Sequence, residues 1–320
     1  MNLTVGQSPD RNVQLWQEKT AARVEEIAGV VGHHLAGREL EEKAALARVE
    51  PQTILPFCDR AGGQVLPADK AVLGRVIPGY AEPSPAIVAS CVEYAQRAEN
   101  YGTAPGEGAA FITAVAAGLK PEAAFVFGTG RGRLEYLIAH ANAVTEVVTI
   151  DLPSEVVGKA PGTPDKNNIR YRTKIGISSD EQIGDIVRSD AEIASRVHQI
   201  LGDSLTFEPG KLAGTMGLVV IDGNHALPNA LMDLGNALLL ASKNGAVIVM
   251  DDFRKGSCLN AGVEAAGVVF SQMTGLAVLN PCPKPGETGL KADIGVIVVP
   301  AEFDTAAAAK RVKELARSLA

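Results

Sequence analysis

Aromatic residues are scarce in this chain: they make up 4% of its 320 residues, and Trp16 is the one tryptophan. Without aromatic platforms, stacking of single-stranded nucleic acid has little to rest on. Basic charge is not in excess either, with 30 Lys and Arg against 37 Asp and Glu and a formal charge of -7. With a pI near 5.4, no nucleic-acid partner is expected. Long apolar runs are missing: stretches such as AVIVM (Ala246–Met250) fall far short of the roughly 18 residues that span a bilayer. No membrane partner is expected. The opening MNLTVGQSPDRN has neither a basic n-region nor an apolar h-region, so the expected location is cytoplasmic. Cysteine is sparse, with Cys58, Cys91, Cys258 and Cys282 far apart and no CxxC pair, which reads as reduced thiols and no zinc site.

What is present is a globular composition, 46% hydrophobic and 21% charged, long enough for one large α/β domain with an extension or for two domains. Residues 1–100 read as a helical N-terminal cap or dimerisation region. Val13, Trp16, Ala21, Val24, Ile27 and Val31 recur at near-helical intervals, and further helices are expected over 39–49 and 84–100. Pro51, Pro56, Pro67 and Pro78 break the chain between them.

From Ala123 short β-branched runs alternate with amphipathic stretches. Strands are expected at 123–127, 146–150, 197–201, 217–221, 246–250, 276–280 and 294–299, with helices over 133–141, 228–241 and 262–274. Apolar strands joined by helices imply a parallel, doubly wound α/β sheet covered on both faces. Such sheets bind ligands at the carboxyl ends of their strands, so chemistry is sought just after each one.

After the first of these strands comes Gly128-Thr129-Gly130-Arg131-Gly132-Arg133, a GxGxG loop that lets backbone approach a ligand. After the second comes Asp151, about where an acid binds a ribose diol, although a strand-ending aspartate also forms turns. Asp203 and Ser204 follow the third strand, placed for an adenine edge, a helix cap, or both. The fourth ends in Asp222-Gly223-Asn224-His225 and the fifth in Asp251-Asp252-Phe253. Three clustered carboxylates call for a cation, and oxygen ligands suit magnesium; the alternative is that they cap and close turns. His225 reads either as a general base or as a structural histidine.

In this order, FVFGTGRGRLEYLI, VVTIDLP, VHQILGDSLTF and LVVIDGNHALPNALMDLGNALLLASKNGAVIVMDDF resemble the class I S-adenosylmethionine-dependent methyltransferases. The resemblance is strongest to a bacterial branch with a DGxH motif, related to metal-dependent small-molecule O-methyltransferases, and covers about residues 100–300. It implies a Rossmann-like seven-stranded sheet, last strand antiparallel, in a domain spanning 101–320, and a homodimer or higher homo-oligomer. It also implies that Gly128, Gly130, Gly132, Asp151, Asp203, Ser204, Asp222 and Glu107 contact S-adenosylmethionine. Asp222, Asp251 and Asp252 would bind Mg2+. Two departures stand out. Val126 replaces a usual acidic residue, and Asn224 stands where sugar-modifying relatives often have a catalytic aspartate. Asparagine takes no proton, so nucleophile activation would fall to His225 or the metal. The implied reaction is O-methylation of a small hydroxylated metabolite. The rival readings are a non-methylating enzyme and a non-catalytic cofactor-binding scaffold on the same fold. The stretch from Pro153 to about Arg196 is expected to carry lid or substrate contacts.

Overall fold

A computed structural model describes residues 65–89, 106–143, 145–155, 176–253, 261–281 and 293–319, together with 157 and 172. The helices expected over 10–31 and 39–49, all four cysteines and Trp16 lie outside the described residues. Of the helix expected from Ser84, residues 85–89 are described and helical.

Eight strands form one sheet: β1 (Val65–Ala68), β2 (Ala123–Phe127), β3 (Glu146–Asp151), β4 (Val197–Leu201), β5 (Leu218–Ile221), β6 (Ala246–Met250), β7 (Val278–Pro281) and β8 (Gly295–Val299). Their order is β1-β7-β8-β6-β5-β2-β3-β4. Every pairing is parallel except those of β8, which runs antiparallel to β6 and β7. The expected Rossmann-like α/β sheet with an antiparallel last strand is therefore present. The count of seven is corrected to eight by β1, which lies in the stretch read as helical and pairs with β7. Its sequence, VLPA, has only four residues and contains Pro67, exposed on the sheet edge. An edge strand tolerates a residue with no N–H to donate, whereas the same proline in sequence argues against a strand.

The helices are α1 (Lys70–Val76), α2 (Gly106–Leu119), α3 (Arg133–Ala141), the single turns α4 (Asp185–Arg188) and α5 (Ala191–Ala194), α6 (Leu227–Leu240), α7 (Ala261–Thr274) and α8 (Thr305–Leu319). Alternation along β2 shows how they cover the sheet. Phe125 and Phe127 join the cluster made with α6, α7 and α8, while Ala124 and Val126 join the one made with α1, α2 and α3. Val126 is fully buried there. The position where the resemblance leads one to expect an acid is a core position in this chain.

Counting outward, β2 is followed by β3 and β4 on one side and by β5 and β6 on the other. The order reverses between β2 and β5, and a crevice opens beyond the strand ends at such a point. The glycine loop, Asp151, Asp222 and Asp251 follow or end the four adjacent strands β2, β3, β5 and β6 here.

Candidate functional site

The glycine loop is held between two neighbours. Gly128 has φ +93°, and a Cβ on it would stand 2.0 Å from the backbone oxygen of Asp222. Only glycine lets the tips of β2 and β5 approach this closely. Gly132, φ +87°, caps α3, and a Cβ there would meet Val187 at 2.8 Å and Gly184 at 3.0 Å. The 184–187 segment thus lies directly on the loop. Gly184 N–H donates to Gly130 O at 3.0 Å, Ile186 N–H donates to Arg131 O at 3.0 Å, and the Arg131 guanidinium pairs with Asp185. The stretch expected to act as a lid does reach the loop.

Gly130 N–H donates to Asp151 Oδ2 at 2.8 Å, joining the loop to the end of β3. Asp151 Oδ1 accepts from Leu152 N–H at 2.8 Å and from the Arg172 guanidinium, which also donates to Leu152 O. A carboxylate has about four lone-pair sites. Among the described residues three are engaged, which leaves one on Oδ2 for a further hydroxyl donor.

Beyond β4, Asp203 Oδ1 accepts from Leu205 N–H at 3.0 Å. This is a turn rather than a helix cap, because residues 204–206 do not continue as a helix. Burial raises the Asp203 carboxyl above its usual range. The Ser204 hydroxyl stands beside Asp233 on α6 and pulls its carboxyl down against the rise caused by burial, and Ser204 O accepts from Asn236 Nδ2 at 2.9 Å. Ser204 is tied to α6 through its backbone oxygen.

The β5 and β6 tips gather the acids. Asp222, His225 and Asp252 each offer one donor atom, all within 4.8 Å of one another. His225 Nε2 lies 3.3 Å from Asp252 Oδ2. Asp252 has φ +56°, a left-handed conformation that costs a non-glycine residue free energy and persists where the surroundings enforce it. Asp251, expected as the third ligand, is not in this group. It is 2% exposed, and its Oδ1 stands 3.0 Å from where a Gly108 Cβ would lie, under the first turn of α2. Burial, and then the Asp252 charge, push its carboxyl up to about 8 against the pull of Arg133. Asp222 is raised well above the usual carboxylate range, first by burial and then by Asp251, Asp252, Glu135 and Asp151. A cation here would relieve that repulsion.

Asn224 does not face the chemistry with its oxygen: Oδ1 accepts from Ala226 N–H at 2.9 Å. Its Nδ2 is buried with no partner among the described residues. Glu107 is exposed on the first turn of α2, one residue from the glycine that abuts Asp251.

Three site residues were not singled out in the sequence. Arg133, 3% exposed, brings positive charge to Asp251 from the end of the glycine loop. Glu135 is fully buried beneath that loop, where burial pushes its carboxyl up to about 8. Its Oε1 accepts from Thr149 Oγ1 at 2.6 Å, and Thr149 Oγ1 lies 2.8 Å from Thr129 Oγ1. Asp233, 1% exposed, sits between the β4 and β5 tips. An acid inside the apolar run ALMDLGNALLL was the one legible signal among the three.

A family model described as a methyltransferase domain matches residues 102–253. Among solved structures, the chain is similar to a putative O-methyltransferase from Klebsiella pneumoniae, with 17% identity over 72% of this chain and 96% of that one, TM-score 0.39. It is also similar to a putative caffeoyl-CoA O-methyltransferase from Staphylococcus aureus, with 11% identity over 67% and 91%, TM-score 0.43. A third is the O-methyltransferase TomG from Streptomyces achromogenes, with 16% identity over 68% and 91%, TM-score 0.41. No curated protein matches the chain.

Proposed function

We propose that this chain is an S-adenosylmethionine-dependent methyltransferase that methylates a hydroxyl of a small metabolite. One observation carries the reading: the glycine loop and Asp151 are hydrogen-bonded together at the point where the strand order reverses. The family match over 102–253 includes both.

The residues present fit the cofactor. Asp151 keeps one acceptor site for a ribose hydroxyl, and the Asp203 carboxyl lies at the next strand end. The carboxylates around Asp222 favour a positive group beside them. When bound, S-adenosylmethionine supplies an activated methyl group. The protein's task is to hold a nucleophile in line with it and to take away a proton. His225 Nδ1 is the acceptor for the substrate hydroxyl proton, and Asp252, 3.3 Å from Nε2, steadies the imidazolium that results. Asn224, fixed through its oxygen, presents an amide donor that orients the substrate.

As the alternative to that role, Asp222, His225 and Asp252 would hold a divalent ion, which would lower the pKa of a coordinated hydroxyl. Two oxygens and a nitrogen suit a transition metal better than the magnesium expected from three aspartates.

Calorimetric titration with S-adenosylmethionine and S-adenosylhomocysteine is the first test; binding of neither sinks the proposal. With a substrate found from a panel of hydroxylated metabolites, His225→Ala and Asp252→Asn are expected to lower methyl transfer at least 100-fold, with S-adenosylhomocysteine affinity unchanged. Asp251→Asn is expected to keep most activity. Full activity in EDTA would remove the metal while leaving the His225–Asp252 pair in place.

A further inference from the structure

Asp233 lies on α6 beside the fully buried Leu231, Leu234 and Leu238, and it is the one charged residue among the buried residues of that helix. The carboxyl is 1% exposed, and its Oδ1 has no hydrogen-bond partner among the described residues. A buried polar atom left unsatisfied is costly, so for helix packing alone an apolar residue would serve better. Its surroundings indicate what it does instead. The Ser204 hydroxyl stands close enough to lower the carboxyl against burial. Oδ2 stands 3.0 Å from where a Gly223 Cβ would be, which explains the glycine after Asp222. One turn later, Asn236 Nδ2 holds Ser204 O at 2.9 Å. Asp233 therefore touches the loops at two strand ends, 203–204 after β4 and 222–223 after β5. Those strands are not neighbours, since β2 and β3 lie between them.

We propose that Asp233, assisted by Asn236, is the positioning residue for the nucleoside side of the cleft, fixing the Asp203–Ser204 turn relative to the Asp222–Gly223 tip. The inference rests on the adenosyl-binding reading given above. The Ser204 backbone, held by Asn236, and the neighbouring Asp203 carboxyl form the wall against which a nucleoside is placed. α6 keeps that wall in register, although it touches no ligand.

The test measures S-adenosylhomocysteine and methylthioadenosine affinity by calorimetry, together with melting temperature, in wild type, Asp233→Asn, Asp233→Ala and Asn236→Ala. Asp233→Asn keeps an acceptor for Ser204 and is expected to bind within about twofold of wild type. Asp233→Ala is expected to bind both ligands about tenfold more weakly, one such bond being worth about 1.4 kcal/mol, with a melting temperature no lower than wild type. Asn236→Ala is expected to weaken both ligands several-fold, and it carries the test if Asp233→Ala does not fold. A purely structural role would move melting temperature and leave affinity alone. Wild-type affinity in Asn236→Ala and in folded Asp233→Ala overturns the proposal. So does a loss confined to S-adenosylhomocysteine. If wild type binds neither ligand, the adenosyl reading itself has failed.

Discussion

Glu135, Asp233 and Asp251 are acids held out of water, each raised toward neutrality chiefly by burial. Such a group binds its proton more tightly folded than unfolded. Its contribution to stability is therefore full at low pH and is lost as pH rises from the unfolded value toward the folded one. For Glu135 that window runs from 4.5 to about 8, with a slope of at most about 1.4 kcal/mol per pH unit. Glu135→Gln keeps an oxygen acceptor for Thr149 and takes no proton. Urea unfolding at pH 5, 6, 7 and 8 should show a shallower decline in the variant than in wild type. An identical decline would mean that Glu135 is ionised in the folded protein.

Among the elements, the glycine loop and α6 carry the largest expected effects. Gly128→Ala forces a Cβ against a backbone oxygen at 2.0 Å and is expected to cost more than about 3 kcal/mol. Gly132→Ala meets a side-chain methyl at 2.8 Å, which can move, and should cost about 1–2 kcal/mol. Denaturant midpoints at constant m-value would rank the two. Leu234→Ala empties a fully buried site on α6, with an expected loss of about 3 kcal/mol. The strands were legible because β2, β5 and β6 are uninterrupted apolar or β-branched runs bounded by turn residues. β1 was not, because an edge pairing depends on β7, more than 200 residues later. The site was legible wherever chemistry follows a strand directly: Gly128, Gly130, Asp151, Asp203 and Asp222 all stand at the expected end of the sheet. What sequence order did not reveal was direction. Asp251 and Asp252 are neighbours in the chain, yet one turns under α2 and the other toward His225, because the backbone enters the left-handed region at Asp252. Arg133, Glu135 and Asp233 lie on helices, where burial depends on what packs above them.

For the whole molecule, two apolar clusters sandwich one sheet, and the site occupies a single end of it. Among the described residues no helix is long and apolar enough to cross a membrane. A ligand bridging the loops at several strand ends should stabilise the folded chain as a unit. At 100 times its Kd, S-adenosylhomocysteine is expected to add about 2.7 kcal/mol. For a chain of this size that is a rise of about 4 °C in melting temperature. Differential scanning calorimetry would check it, and a flat response across ligand concentration would argue against a site that joins the strand ends.

The backbone bonds from Gly184 and Ile186 to the glycine loop have a further consequence. They place two hydrogen-bonded amide protons, on a segment expected to carry lid or substrate contacts, in series with the loop expected to clasp the methyl donor. Deuterium uptake at those two amides should slow when donor analogue alone is added. Occupancy of one ligand would then be recorded in the covering of the other, which is the physical basis for an ordered sequence of binding.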